Sequence, residues 1–253
     1  SIPTDGLIGY WDFDDTSGNP VDSSDEAHTS TAHGDPSYGE DGHADTAIQF
    51  DGDEDYIEVD ADDAFNVTNI TISVWVKLGY LFTGTPDNMY GAGLVCRGNG
   101  FEEVWCIDVM PISNDNGTAF RFWHRHSDLN WSYADILTTT PLDLEWNHVA
   151  ATYDGTTSKI YLNGQLEGWT TTISGNLSSS NESVYIATRQ NAQSGGLPVN
   201  EINATIDEVR IYNRALCEAE LTILYQVSYT LIEDLDDDND GWSDEDEIAC
   251  GYN

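Results

Sequence analysis

Lysine is nearly absent from this chain. Lys77 and Lys159 are the only two in 253 residues, and with six arginines they set eight cations against 46 Asp and Glu, a formal net charge of −38. A field this negative repels polyanions, which argues against nucleic acid and anionic membrane surfaces as partners. Long apolar runs are lacking too, so no segment is fit to cross a bilayer as a helix and no direct membrane insertion is expected. There is no Gly-x-Ser-x-Gly elbow, zincin helix or phosphate loop. Helical periodicity is confined to Cys217 to Tyr225, after an acidic first turn. What is present is a hydrophobic fraction of 39% with 11% aromatics. That suffices for a packed core, so the charge reads as a solvated surface and not as disorder.

The acid excess is mostly Asp, a bias that resembles proteins of marine or halophilic microbes; it also favours divalent cations, and salt that screens self-repulsion. Four cysteines, Cys96, Cys106, Cys217 and Cys250, allow three pairings. Their spacing favours Cys96 with Cys106, stapling a hairpin around Arg97-Gly98-Asn99-Gly100, and Cys217 with Cys250. Zinc is the rival reading, but no C-x2-C pair or matching histidine spacing supports it. Disulfides, and the Asn-x-Ser/Thr sequons at Asn66, Asn69, Asn116, Asn130, Asn176, Asn181 and Asn203, fit an oxidising compartment. With no leader segment ahead of Ser1, the reading is a mature or excised piece of a longer secreted or cell-surface protein.

From Ile2 to about Tyr229, short alternating or apolar runs are separated by Gly, Asn, Asp and Ser clusters, the pattern of an antiparallel sandwich. Strands are predicted at 9–13, 47–50, 56–59, 70–77, 93–97, 105–110, 119–124, 147–153, 158–162, 183–188 and 204–212. Asp154-Gly155 and Asn163-Gly164 are tight-turn dipeptides around one hairpin. The order of Gly6–Asp14, Ala47–Gly52, Asp55–Val59, Ile70–Lys77, Trp146–Ala150, Tyr161–Gly164 and Ile206–Tyr212 resembles the laminin-G-like, concanavalin A-like jelly-roll family. That resemblance implies an all-β, two-sheet antiparallel jelly roll over residues 1–229, with a calcium-loop appendage over 230–253.

The appendage rests on Asp236 to Glu247, which fits D-x-[DN]-x-[DN]-G-x5-E at every specified position. Calcium takes six to eight hard oxygens; Asp236, Asp238, Asp240 and Glu247 supply carboxylates, Trp242 a backbone carbonyl, and Asp244 a direct or water-mediated contact. Gly241 permits the sharp turn. The loop resembles thrombospondin type 3 and EF-hand-like repeats, which implies a staple between neighbouring domains of a larger surface protein. The jelly-roll resemblance implies a second, structural calcium, held by Asp207 with Asp12 or Asp14 and a backbone carbonyl at Gly52.

Chemistry on this fold, where it occurs, uses paired acids on one strand. The nearest look-alike is Cys106-Ile107-Asp108-Val109-Met110, whose outer positions are Cys and Met, so the chain is read as not an enzyme. Sugar binding asks for aromatic faces beside polar partners. Phe120 to Tyr133 is the richest such stretch. On a strand, Phe120, Phe122 and His124 share one face and Arg121, Trp123 and Arg125 the other. The expected ligand contacts are Arg121, Trp123, Arg125 and Trp131, with Arg97 and Trp105 as neighbours on the sheet, and the arginines suit an anionic polysaccharide. Trp11, Trp75 and Trp146 are expected to pack. Trp169 is left open between a stacking platform and an edge-strand residue. The resulting expectation is a calcium-stabilised carbohydrate-binding or adhesion module. A calcium-rigidified spacer is the alternative, and a glycan-active enzyme of the same fold the less favoured one.

Overall fold

A computed structural model describes residues 1–81, 91–98, 104–112, 117–126, 133–190, 198–199 and 201–226. Alternation sets the architecture. In β6 (Ile70–Leu78), Ile70, Ile72, Val74 and Val76 enter the central core, while Thr71, Ser73 and Trp75 point the other way. β-branched residues with period two are the signature of a strand buried on at least one face.

Two antiparallel sheets enclose that core. In the first, β13 (Gln165–Thr170), β12 (Ser158–Leu162), β11 (Trp146–Tyr153), β6, β17 (Asn203–Tyr212), β4 (Thr46–Asp51) and β3 (Ser37–Asp41) lie in that order, and β1 (Leu7–Trp11) also pairs with β17. In the second, the order is β10 (Tyr133–Leu137), β9 (Thr118–Arg125), β8 (Trp105–Pro111), β7 (Ala92–Arg97), β14 (Val184–Ile186), β5 (Tyr56–Val59) and β2 (Ser30–His33). A small ribbon of β15 (Arg189–Gln190) and β16 (Pro198–Val199) stands apart. The layers form the all-β sandwich expected of a concanavalin A-like jelly roll. Every predicted strand is present, with ends moved by no more than two residues. The four longer unpredicted strands, β2, β3, β10 and β13, are polar or lie at sheet edges, where a core-facing pattern is weakest.

The outer face of the first sheet is covered by α1 (Glu218–Gln226). Cys217 opens this helix, and the Glu220 side chain, three residues on, accepts the Cys217 N–H, half of a capping box. Leu216, Leu221 and Leu224 then pack on Ala150, Tyr161 and Tyr212 in a second, smaller cluster. Each such buried leucine contributes about 1.5–3 kcal/mol over an exposed one.

β17 changes partners midway. Asn203–Ile206 pairs with β4 and Val209–Tyr212 with β1, and the ladder to β6 slips between Asp207 and Arg210. Glu208, at the slip, has φ of 56°, in the left-handed region that a non-glycine residue rarely occupies. It is a β-bulge, the device by which strands re-aim side chains.

Cys96 and Cys106 face each other across β7 and β8 and are disulfide-bonded, as the spacing predicted. Cys217 is disulfide-bonded as well. Its expected partner Cys250, the whole loop Asp236–Glu247 and the proposed boundary at 229/230 lie outside the described residues.

Candidate functional site

Seven strands of the second sheet bring one residue each into a single row on its outer face. Thr31 opposes Glu58, Glu58 opposes Tyr185, Tyr185 opposes Cys96, Cys96 opposes Cys106, Cys106 opposes Trp123 and Trp123 opposes Asp135. At about 4.8 Å per strand, Glu58 and Asp135 stand roughly 24 Å apart, with an aromatic ring inside each. β9 places these residues as its alternation requires: Phe120, Phe122 and His124 are buried, and Arg121, Trp123 and Arg125 are partly exposed. Asp135 is exposed, whereas both cysteines are covered. The chain at Thr188–Arg189 crosses directly over Gly93, where an added Cβ would stand 2.3 Å from the Thr188 carbonyl oxygen. Only glycine admits that approach.

Asp108 organises the charge on this face. Its Oδ1 accepts Arg121 Nε at 2.9 Å, and its Oδ2 accepts Arg121 Nη2 at 2.5 Å and Arg189 Nη1 at 2.8 Å. The Asp108 side chain is wholly buried and that of Arg189 is 2% exposed. The Arg189 guanidinium in turn lies over the Trp123 ring, 5.5 Å from its centre. Arg189 was not foreseen from sequence; nothing about its spacing predicts that its strand folds back over the sheet. At the other end of the row, Glu58 Oε1 accepts Ser183 Oγ at 3.0 Å and the Tyr185 hydroxyl at 3.2 Å. Its Oε2 lies 3.2 Å from His33 Nε2, without hydrogen-bond geometry.

Two expected contacts are corrected. Arg97 and Trp105 oppose each other across β7 and β8, one step out of phase with the disulfide, so both point inward and both are fully buried. Arg97 is a structural pin. Its guanidinium donates to the carbonyls of Phe65, Asp62, Ser180 and Glu182 and to Asn66 Oδ1. Burial, partly offset by Asp63 and Asp62, draws it down to about 10. Trp131 lies outside the described residues.

The outer face of the first sheet holds the other predicted residues. Asp207 is fully buried at the β17 bulge. Its Oδ2 accepts the Ala44 N–H at 2.9 Å, and its Oδ1 has no hydrogen-bond partner. Burial, reinforced by Glu208 and Asp14, pushes its carboxyl up to about 8 despite the Ala44 and His43 amides. Asp14 Oδ1 accepts Thr46 N–H at 2.9 Å, so Asp14 and Asp207 hold the same turn. Asp12 Oδ2 accepts Ser23 Oγ at 2.8 Å. An orphaned, desolvated carboxylate oxygen near a second aspartate fits a hard cation. Gly52 does not belong to this group. The register pairs Asp51 with Asn203, four residues from Asp207 along β17, or about 13 Å. Among the described residues, no three His, Cys, Asp or Glu side chains form a ready ligand set.

The family described as concanavalin A-like lectin/glucanases superfamily matches residues 51–222. The chain belongs to the concanavalin A-like lectin/glucanase superfamily. No curated protein matches it in sequence. Among solved structures, it is similar to domain 4 of the extracellular GH43 arabinanase AbnA from Geobacillus stearothermophilus, in complex with arabinotriose. The TM-score is 0.65 at 22% identity, over 88% of this chain and 100% of that one. The binding domain of Paraclostridial Mosquitocidal Protein 1 gives 0.65 at 17% identity, over 87% of this chain and 52% of that one. The binding domain of botulinum neurotoxin DC, in complex with SialylT, gives 0.62 at 17% identity, over 88% and 51%. The chain thus spans all of the arabinanase domain and about half of the toxin domains.

Within this concanavalin A-like sandwich, the Ser73–His148 pair is enclosed. Ser73 Oγ lies 2.8 Å from His148 Nε2, but both are about 1% exposed, too covered for a nucleophile to meet substrate. Burial, with Arg210 and His43, lowers the His148 pKa to about 3. Trp169 is an edge-strand residue: it lies on β13 opposite Lys159 and is 64% exposed. No helix among the described residues is long and apolar enough to cross a membrane.

Proposed function

We propose that the chain is a non-catalytic glycan-binding module of a secreted or cell-surface protein, stabilised by calcium. The carrying observation is Trp123, set on a partly exposed sheet face between exposed Asp135 and the Asp108–Arg121–Arg189 group. An aromatic ring beside fixed polar groups is the chemistry that sugar C–H faces and hydroxyls require. The arabinotriose and SialylT complexes of proteins with this fold support the reading.

A binding role without catalysis is supported on β8. Glycoside hydrolysis needs two carboxyls at set separation, about 5 Å or about 6.5–9.5 Å. Asp108 is the single acid of that strand, and it is consumed by two arginines. Calcium enters at two positions in this reading. One is the loop Asp236–Glu247, read as a thrombospondin type 3-like repeat that joins neighbouring domains; the disulfide-bonded Cys217 beside α1 favours such a tether. The other is Asp207 with Asp14 and Asp12, where a cation would supply the partner that Oδ1 lacks. A glycan array with and without calcium is the test. Binding that disappears in Trp123→Ala supports the module, and silence across neutral and acidic glycans sinks it.

A further inference from the structure

Arg121 and Arg189 on this face are already spent. Arg121 gives two hydrogen bonds to Asp108, and its side chain is 11% exposed; Arg189 gives one to the same carboxylate, stacks on Trp123 and is 2% exposed. Neither offers an incoming carboxylate or sulfate the open fork that anion recognition uses. Arg97, the third expected cation, is in the core. Among the described residues of these strands the face balances: Arg121, Arg189 and Arg125 against Asp108, Asp135 and Glu58, with Asp135 exposed beside Trp123. Around it stands a chain of net charge −38.

We infer that the face binds an uncharged glycan, and that Asp108 is the positioning residue that makes it so. The inference rests on the glycan-binding reading above. Asp108 acts through the arginines: it draws their positive charge inward and sets Arg189 against the inner side of Trp123. The indole is then presented as a neutral stacking surface, and Asp135 is left to accept hydroxyl hydrogens. A uronate or sulfate approaching the same ring meets the exposed Asp135 carboxylate before either of the guanidiniums bound to Asp108, and like-charge juxtaposition is how a site rejects such a ligand. This reverses the anionic preference that an arginine-rich strand suggests when read without its partners.

Calorimetric titration of the full chain in calcium tests this. The probes are neutral arabino-, xylo- and gluco-oligosaccharides against oligogalacturonate and a sulfated oligosaccharide, at about 50 and about 500 mM NaCl. The expected result is a neutral ligand whose affinity changes less than about twofold with salt, weakens at least about tenfold in Trp123→Ala, and exceeds that of any acidic ligand about tenfold or more. An acidic ligand that binds best and weakens steeply with salt overturns the charge inference and leaves the glycan-binding reading standing. Silence from the whole panel overturns both. Asp108→Asn releases the guanidiniums and is expected to raise oligogalacturonate binding at least about threefold, with new salt sensitivity. If that variant fails to fold by circular dichroism, Asp135→Lys carries the same expectation from a solvent-exposed position. An acidic-ligand affinity that stays at the wild-type level in the folded variant removes the assigned role of these carboxylates.

Discussion

The two outer faces of this sandwich treat charge in opposite ways. On the first sheet, α1 and the turn at Ala44 lie over a set of buried polar groups. Two of them are held far from their ordinary protonation range, Asp207 at about 8 and His148 at about 3. On the second, Asp108, Arg121 and Arg189 satisfy one another and leave Trp123 and Asp135 toward solvent. The contrast teaches where to look. Perturbed titration marks functional sites only when ligands reach it, and Asp207 and His148 are both buried. Changes on the covered face should therefore register as stability, and changes on the accessible face as binding.

Acid gives the largest separation. His148 is held neutral by burial, so its contribution to stability is complete above its unfolded pKa near 6.5 and is lost as pH falls toward about 3. The unfolding free energy from urea titration should drop by several kcal/mol over that interval in wild type, and His148→Gln should flatten the drop; an equally steep loss in the variant breaks the assignment. Calcium comes next. At a hundredfold excess over Kd, a native-state ligand adds about 2.7 kcal/mol, so chelation should lower the melting temperature by roughly 5–10 °C. In the chelated protein, Asp207 favours its protonated form. Stability is then full below the ordinary carboxylate range and lost as pH rises through about 8, a slope that Asp207→Asn should remove. An unchanged melting curve in EDTA would remove both calcium positions.

Reducing the Cys96–Cys106 bond, which closes a loop of sequence separation 10, should cost about 2–3 kcal/mol without shifting glycan preference. Trp123→Ala should do the reverse, losing at least about tenfold in affinity, about 1.4 kcal/mol, with the melting temperature nearly unmoved. The smallest effect belongs to Trp169→Ala, which should stay within about 0.5 kcal/mol in stability and leave affinity at the wild-type level. A loss of glycan binding there would relocate the site to the first sheet.

Much of this was legible in the chain before folding. Alternation along Phe120–Arg125 assigned all six side chains to their correct faces, because parity within one strand is a local property. Parity between strands is not local. Arg97 and Trp105 were placed on the binding face because they are Arg and Trp near a predicted hairpin, and the register that turns them inward depends on how β7 and β8 pair. Arg189 reaches the face through a crossover that no spacing reveals. Asp207 stood out as an acid in an apolar strand, but its distance from Gly52 follows from the β4–β17 register, which sequence does not state. β3 and β13 lie at sheet edges and half face water, so their composition resembles a loop.

The in-register row across the second sheet has a consequence for how such a domain can change. Apart from the Cys96–Cys106 tie, its positions are side chains that the central core does not use, so each can be exchanged singly without disturbing the packing beneath. A one-residue insertion within any of those strands would instead turn an apolar set outward and a recognition residue inward. Variation in ligand choice on this scaffold should accumulate as point replacements along the row and as length changes in the connecting segments, while the strands themselves keep their lengths. A library randomised at Thr31, Glu58, Tyr185, Trp123 and Asp135, with Cys96 and Cys106 retained as the tie, would explore recognition on a fixed frame.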